Sequence, residues 1–365
     1  MHCFLTALFL KLCYIFKYIT ILSLFMITRR FFVKKFFLGM SLLAFPKLVF
    51  SQQYNLILLQ GVIQSFPKRI LSAGRVSDVL LISLCPEKLV GISTEMKQLD
   101  KQYLSDQVRN LPYIGRLAGR GSTMSIEKIL ATQADLIVDT GTVNQTFIST
   151  AQKVYQQTQI PYLIVSGKLM DTSQQFKQLG DLLGVSERAE KLANFAERIL
   201  TKTHNLGAYK SIKFYLARGI DGLETALQGA IHTEAIDWVG GINVTSSAGE
   251  KLLTRISMEQ LFHWQPDIIL TQDINFYHKI QSDELWQKLS AVQNNRVYLV
   301  PSSPFGWLDS PPSINRLLGC AWLAHILVPE KFSRKELEAI TVEYFQLFYG
   351  YELSAQHFTA LLTNI

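Results

Sequence analysis

The sequence predicts an α/β protein of two similar lobes, and three features carry the prediction. Residues Ser125–Asp139 (SIEKILATQADLIVD) recur in pattern as Ser257–Thr271 (SMEQLFHWQPDIILT). Each copy reads as a capped helix, a turn with an Asp and a continuous apolar strand, which is typical of a unit in a parallel sheet. Residues 52–365 are too many for one ordinary hydrophobic core, and their number suits two cores. Between the copies, Glu187–Thr203 contains no Gly or Pro and predicts one long, stiff helix.

The repeat is supported by helix-start signals in both copies. Ser125 and Ser257 can each cap the first turn, and Gln260 adds a capping box in the second copy. Glu127 and Glu259 then fall in the first turn, where the helix dipole favours a negative charge. We interpret the copies as equivalent parts of two lobes, and chance similarity between two α/β units is the alternative.

Residues 1–51 read as an export leader. They contain seven Lys or Arg and no acid, so the formal net charge of +7 lies there. The remainder is balanced, which argues against a nucleic-acid footprint on the folded part. Thr28–Lys34 resembles a twin-arginine motif and is followed by an apolar run and by Val49-Phe50-Ser51, a fitting cleavage site. We therefore expect a signal peptide that is removed, and a soluble periplasmic protein.

Two further readings of the leader remain open. Met26 stands two residues before the motif and is a plausible true start. Residues 4–27 are long and apolar enough for a membrane span, although Lys11 and Lys17 interrupt them. The export reading is preferred, and it predicts that the mature chain does not span a membrane.

The cysteines do not form a disulfide framework. Cys3 and Cys13 lie in the leader, whereas Cys85 and Cys320 lie in apolar surroundings. Two buried free thiols are expected, with one disulfide as the alternative. No CxxC or HxxxH pattern suggests a resident zinc site.

We divide the sequence after the leader into a first lobe at 52–183, a bridging helix at 184–208 and a second lobe at 209–365. Apolar runs and helical spacing predict strands and helices that alternate in both lobes. The predicted strands are Arg69–Ser72, Leu89–Ile92, Leu136–Val138, Tyr162–Val165, Ile212–Ala217, Ile242–Val244, Ile268–Leu270 and Val297–Val300. The predicted helices after residue 171 are Thr172–Leu183, Glu187–Thr203, Ala235–Val239, Glu284–Leu289, Ile314–Leu327 and Lys335–Phe348.

This order of parts resembles the periplasmic substrate-binding proteins of ABC importers for iron chelates, haem and cobalamin. The local matches are Leu216–Thr225 (LARGIDGLET), Gly240–Val244 (GGINV) and Pro304–Gly319 (PFGWLDSPPSINRLLG). The resemblance covers nearly all of residues 52–365. It implies two Rossmann-like lobes bridged by a single long α-helix, a ligand cleft between them, no intrinsic cofactor and a monomer.

The resemblance also implies a partner. Family members carry one acidic residue on each lobe that docks on arginines of the permease dimer. The matching positions here are Glu127 and Glu259. The alternative is that a Glu in the first helical turn is favourable in any protein.

Ligands of open α/β lobes sit outside the carboxyl ends of the strands, so the loops after the strands should face the cleft. Three arginines in such loops, Arg75, Arg120 and Arg218, offer charged hydrogen-bonding forks for an anionic chelate or haem propionates. Arg218 is the strongest candidate because it lies in one of the family matches. A solvated loop arginine is the alternative for each.

Aromatic side chains near the predicted cleft could complete the site. Phe305 and Trp307 offer flat surfaces for a porphyrin or an aromatic chelator, although Trp307 could instead be a core residue beneath the loop. Tyr277 is a further ligand-binding candidate, and Tyr277 with His278 could ligate iron directly, although such a pair is more often surface chemistry.

The leading hypothesis is a binding protein that delivers a metal chelate, with a ferric siderophore or haem favoured. Cobalamin, a nickel or cobalt chelate and molybdate remain alternatives. An exported chelatase-like enzyme on the same fold is the alternative of another class. Against it, the sequence contains no nucleophile elbow, P-loop or dinucleotide-binding motif.

Overall fold

The computed structural model describes residues 57–117, 121–245 and 253–363. The predicted leader at 1–51 and the candidate Arg120 lie outside these residues. Among the helices described, none has both the length and the apolar character that crossing a bilayer requires.

The first lobe is built on one four-stranded sheet. Its strands are β1 (Ile57–Gln60), β2 (Ile70–Ser72), β3 (Leu136–Gly141) and β4 (Tyr162–Ser166). Their order is β1-β4-β3-β2, with β2, β3 and β4 parallel and β1 antiparallel at the edge. Its helices are α1 (Arg75–Leu84), α2 (Gln98–Lys101), α3 (Asp106–Arg109), α4 (Ile126–Ala131), α5 (Gln145–Thr158) and α6 (Thr172–Leu183).

The helix α7 (Ser186–Thr203) follows and bonds to both lobes. Near its start, the Arg188 guanidinium donates to the carbonyl of Ser83, on α1, over 2.7 Å. Near its end, the carbonyl of Leu200 accepts from the Trp238 indole over 2.9 Å. The predicted bridging helix is thus present, and Gly184 ends α6 just before it with a positive φ of 69°.

The second lobe repeats the arrangement of the first. Its strands are β5 (Lys213–Ala217), β6 (Glu224–Ala226), β7 (Ile242–Asn243), β8 (Leu253–Arg255), β9 (Ile268–Thr271) and β10 (Val297–Leu299). The main sheet has the order β10-β9-β5-β7 and is parallel, whereas β6 and β8 form a small antiparallel ribbon. Its helices are α8 (Glu234–Trp238), α9 (Met258–Trp264), α10 (Ile274–Ile280), α11 (Ser290–Gln293), α12 (Arg316–Leu327), α13 (Arg334–Tyr344) and α14 (Ala355–Thr363).

The two repeat copies occupy equivalent places. The strand of each copy, β3 or β9, lies between two parallel neighbours in its sheet. The hydroxyl of Ser125 accepts from the Lys128 amide at the start of α4, and Ser257 and Gln260 form a complete capping box at α9. The prediction of two similar α/β lobes is confirmed.

The end of the chain returns to the first lobe, which the sequence pattern did not indicate. After α13, a π-helical turn at Phe345–Tyr349 carries aromatic rings against Tyr103. The Ser105 amide donates to the carbonyl of Tyr349 over 3.1 Å. Residues assigned by sequence to the second lobe therefore help to cover the first, and the proposed domain limits remain predictions.

A buried arginine joins the two lobes. The Arg316 guanidinium pairs with Glu234 over 2.5 Å and donates to the carbonyl of Gly167, which follows β4 of the first lobe, over 2.5 Å. The Glu234 carboxylate also accepts from the Leu169 amide over 2.9 Å. Burial lowers the pKa of Arg316, whereas Glu234 beside it works in the opposite direction. We call Arg316, Glu234, Gly167 and Leu169 the hinge cluster.

The core is continuous across α7. Apolar side chains of both sheets and of α7, α12 and α13 belong to one buried cluster. Cys85 and Cys320 are buried free thiols, as expected.

Candidate ligand site

The loop at 301–313, between β10 and α12, contacts the first lobe at several points. The hydroxyl of Ser313 donates to the carbonyl of Val76 over 2.8 Å, and that of Ser303 donates to the Asp100 carboxylate over 2.7 Å. The Arg75 guanidinium reaches the carbonyl of Ser310 at 3.4 Å. This loop therefore lies between the lobes at the carboxyl ends of their strands, where α/β proteins bind ligands. We call it the cleft loop.

Arg218 of the second lobe reaches the cleft loop from the other side. Its guanidinium forms an ion pair with Asp309 and lies 3.5 Å from the Glu224 carboxylate. Asp309 is buried, with 3% of its side chain exposed, and its Oδ1 accepts from the Ser310 amide over 2.7 Å. Nδ1 of His232 lies 2.8 Å from the same oxygen. We call Arg218, Glu224, His232 and Asp309 the Arg218 cluster.

The local backbone holds Arg218 and Glu224 side by side. The Arg218 amide donates to the carbonyl of Glu224 over 2.8 Å, and the Glu224 amide donates back over 3.2 Å. Gly222 makes the intervening turn with a φ of 73°, and a Cβ there would overlap the Phe276 ring. The sequence RGIDGLE thus folds as a closed loop that directs both side chains to one wall of the cleft.

Two cavities lined by described residues adjoin the cleft loop. The larger, about 290 Å³, is lined by Leu216, Ala217, Arg218, Gly219, Glu224, Gln272, Asp273, Asp309 and Ser310. The smaller, about 100 Å³, is lined by Arg75, Asp78, Ile82, Thr94, Glu95, Met96, Lys97, Asp100, Pro304, Phe305 and Pro311. Ligand pockets usually measure about 300–1,000 Å³, so the larger cavity suits a compact ligand or part of a bigger one.

The structure places some of the predicted ligand-binding residues at the cavities and others away from them. Arg75, Arg218 and Phe305 line the cavities. Trp307 is fully buried in the core, so its ring presents no face to a ligand. It is therefore the core residue beneath the loop that the sequence analysis gave as the alternative. Tyr277 is half-buried against the core of the second lobe and lines neither cavity, and His278 is exposed.

No group of three or more metal-ligating side chains occurs within the part of the chain that the structure describes. The candidate metal pair, Tyr277 with His278, is not part of such a group of His, Cys, Asp and Glu side chains. Its rings lie 5.7 Å apart at their centroids on α10. The arrangement resembles surface packing more than ligation.

Three site residues were not singled out by sequence reasoning: Asp309, Glu224 and His232. Asp309 and Glu224 lie inside two of the family-like segments, and that position was the available signal. His232 carried no such signal, because it reaches Asp309 only through the fold.

Burial shifts the pKa values of groups around the cleft. Desolvation lowers the pKa of Arg75 and raises that of Asp100. It raises the pKa of Asp78 to about 6, although bonds from Ser72 and Ser93 oppose the change. Asp78, with a pKa of about 6, is still mostly ionised at pH 7 and offsets part of the positive charge that Arg75 brings to this side of the cleft.

The carboxylates Glu127 and Glu259 are both exposed, in the first turns of α4 and α9. Bonds from Ser125 and Ser257 lower their respective pKa values, so both are charged at neutral pH. Each helix precedes a parallel strand and runs against it, so its first turn lies at the carboxyl edge of the sheet. One acidic side chain thus stands beside the cleft on each lobe.

The buried Asp139 makes stability depend on pH. It ends β3 and accepts from the Tyr162 hydroxyl over 3.0 Å, and burial raises its pKa to about 6. Its folded pKa lies above the unfolded value, so its stabilising contribution is fully present below about pH 4 and is lost as pH rises through about 6. Between pH 7 and pH 5 the wild type should gain about 1 kcal/mol more in free energy of unfolding than Asp139→Asn. Urea unfolding at both pH values checks this, with the exposed Asp106→Asn as control; equal gains in wild type and Asp139→Asn would contradict it.

Comparisons with known proteins agree with this architecture. A family model described as periplasmic binding protein matches residues 80–304. The chain is 26% identical over 293 residues to the molybdate-binding protein MolA of Haemophilus influenzae, covering 72% of this chain and 80% of that one. It is 25% identical over 256 residues to the vitamin B12-binding protein of Vibrio cholerae, covering 67% and 84%. A solved ABC transporter solute binding protein from Sulfurospirillum deleyianum superposes with a TM-score of 0.75 at 30% identity, covering 83% and 96%.

Proposed function

The chain belongs to the periplasmic binding protein family, and from this we propose that it captures a metal chelate and delivers it to the permease of an ABC importer. A ferric siderophore or haem is the leading candidate. The observation that carries the proposal is the meeting of two arginines from opposite lobes, Arg75 and Arg218, on adjacent residues of the cleft loop.

Guanidinium groups on both walls suit a ligand that presents oxygen atoms on two sides. Each guanidinium carries several donors in a fixed plane, which matches carboxylate, catecholate or hydroxamate oxygens. Phe305 adds a half-buried ring to the wall of the smaller cavity, next to Arg75. A metal chelate with an organic periphery uses both kinds of contact.

Molybdate is the second candidate, because the molybdate-binding protein MolA of Haemophilus influenzae is similar to this chain over 72% of this chain's length. A small oxyanion needs donors rather than an aromatic wall, and the larger cavity is compact. An exported chelatase-like enzyme is the alternative of another class, and turnover of a chelate would favour it over reversible binding.

A titration panel tests the function. The protein is titrated with ferric siderophores, haem, cobalamin, nickel chelates and molybdate while its tryptophan fluorescence is followed. Saturable quenching at a ratio of one to one by a metal chelate is expected. Binding of none of these ligands would contradict the proposal, and saturable binding of molybdate alone would favour the second candidate.

Arg218→Ala should weaken the binding of the ligand by about 1–3 kcal/mol, which is the scale of a lost charged hydrogen bond. This corresponds to an increase in Kd of about 5- to 150-fold. The matched control is Arg296→Ala, since Arg296 precedes β10 and lies at the opposite edge of the same sheet. Calorimetric titration of both variants checks this. Unchanged affinity in Arg218→Ala would remove Arg218 from the site.

The proposed place of action is the periplasm, after export through the twin-arginine leader. Docking on the permease is assigned to Glu127 and Glu259, on the basis of their equivalent positions beside the cleft. Replacing Arg29 and Arg30 by Lys should retain the chain in the cytoplasm, which cell fractionation detects. Normal export of that variant would contradict the leader assignment.

A further inference from the structure

The larger cavity carries more negative than positive charge. Among the described residues that line it, Arg218 stands with three carboxylates, those of Glu224, Asp273 and Asp309. Two of these, Asp309 and Glu224, belong to the Arg218 cluster. The guanidinium therefore presents hydrogen-bond donors to the cavity while its charge is balanced by its own neighbours.

Asp309 fixes this arrangement because it cannot easily release Arg218. Its side chain is 3% exposed, and a buried carboxylate that loses its cationic partner pays a large desolvation cost. One oxygen of Asp309 accepts from the Ser310 amide and lies next to His232, and the carboxylate also pairs with Arg218. A ligand must therefore come to the guanidinium where Asp309 holds it.

We propose that Asp309 and Glu224 determine specificity by neutralising Arg218, so that the cleft favours oxygen-rich ligands of low net charge over free multivalent anions. The inference rests on the proposed function and deepens it. A neutral ferric complex, such as a tris-hydroxamate, accepts hydrogen bonds from Arg218 without meeting net repulsion. A bare dianion meets two nearby carboxylates and gains little net attraction.

The smaller cavity points the same way. Arg75 and Lys97 line it together with Asp78, Glu95 and Asp100. Neither cavity therefore has an excess of positive charge among its described residues.

The test uses a charge series of defined probes: a neutral ferric tris-hydroxamate, a trianionic ferric tris-catecholate and sodium molybdate. Each is titrated against wild type, Glu224→Gln, Asp309→Asn and the double variant, at low and high salt. Removing the carboxylates should increase the affinity for the two anions by about tenfold per charge removed, since unit charges a few ångströms apart interact strongly at protein surfaces. The affinity for the neutral chelate should not increase, because Arg218 is less well positioned once its carboxylate partners have been removed.

A structural role alone would weaken all three probes together, so opposite changes for neutral and anionic probes distinguish the proposal. Glu224→Gln keeps the test valid if Asp309→Asn does not fold, because Glu224 is 36% exposed. Glu284→Gln, an exposed site after α10, is the charge control. Anions that bind wild type as tightly as the variants would overturn the inference while leaving the binding function intact. Failure of every probe to bind any form would overturn the inference, and it would overturn the proposed function as well only if haem, cobalamin and the nickel chelates of the titration panel also failed to bind.

Discussion

Arg316→Met is expected to lower the free energy of unfolding by about 3–5 kcal/mol, the scale of breaking a buried ion pair. The side chain is 3% exposed and pairs with Glu234, which would be left without its cation in a largely buried place. Three carbonyl oxygens, those of Ser313, Ile231 and Gly167, would also lose a donor. Urea unfolding followed by circular dichroism measures the loss.

The matched control is Arg198→Met on α7. Arg198 pairs with Glu343, but both side chains are about half exposed, so the same substitution should cost less than about 1 kcal/mol. If Arg316→Met were no more destabilising than Arg198→Met, the hinge cluster would not hold the lobes together.

Reversing both charges beside the cleft, Glu127→Arg with Glu259→Arg, is expected to reduce uptake at least about tenfold, because like charges across an interface cost several kcal/mol. The two side chains are exposed and lie in neither cavity, so ligand affinity should stay at the wild-type value. Uptake of labelled ligand by cells that carry the variant, together with calorimetry on the purified protein, measures both quantities.

The control for the reversal is Glu87→Arg with Glu284→Arg. These residues are also exposed, one on each lobe, and they follow α1 and α10 at the edge away from the cleft. They change the net charge equally and should leave uptake unaffected. Equal loss of uptake in both double variants, or normal uptake in the Glu127 and Glu259 variant, would reject these two residues as the docking pair.

The regular parts of the fold could be predicted because local signals determine them. The apolar runs of β3 and β9, the caps at Ser125 and Ser257, and the stop at Gly184 agree with their surroundings. Helix α6 begins and ends at the predicted residues, Thr172 and Leu183. The resemblance to the periplasmic binding protein family, drawn from the order of the predicted elements and from three local matches, is confirmed by the family match over residues 80–304.

Other elements depended on long-range packing and were missed. The edge strand β1 forms by pairing with β4, about a hundred residues later in the chain. The predicted strand at Leu89–Ile92 makes only isolated bridges to Ile70 and Tyr113, and the predicted helix at Glu284–Leu289 shortens to one turn at Trp286–Lys288. The return of the chain at Tyr349 to Ser105 left no periodic signal at all.

The site was predictable in outline only. Loops that follow parallel strands identified Arg75 and Arg218, because their place depends on topology. Whether a side chain in the loop at 301–313 points to solvent or to the core depends on tertiary contacts, which is why the sequence left Trp307 open between a ligand surface and a core residue and did not single out Asp309. His232 and Arg316 acquire their roles from partners more than 75 residues away in sequence.

The most direct test is native mass spectrometry with metal analysis of the protein purified from its native cells, in wild-type form and as Arg75→Ala with Arg218→Ala. We expect one metal-containing ligand per wild-type chain, and its loss from the double variant while the fold is retained. A ligand that stays bound to the double variant, or a wild-type protein that carries no ligand and binds none of the panel, would contradict a chelate-binding cleft between Arg75 and Arg218.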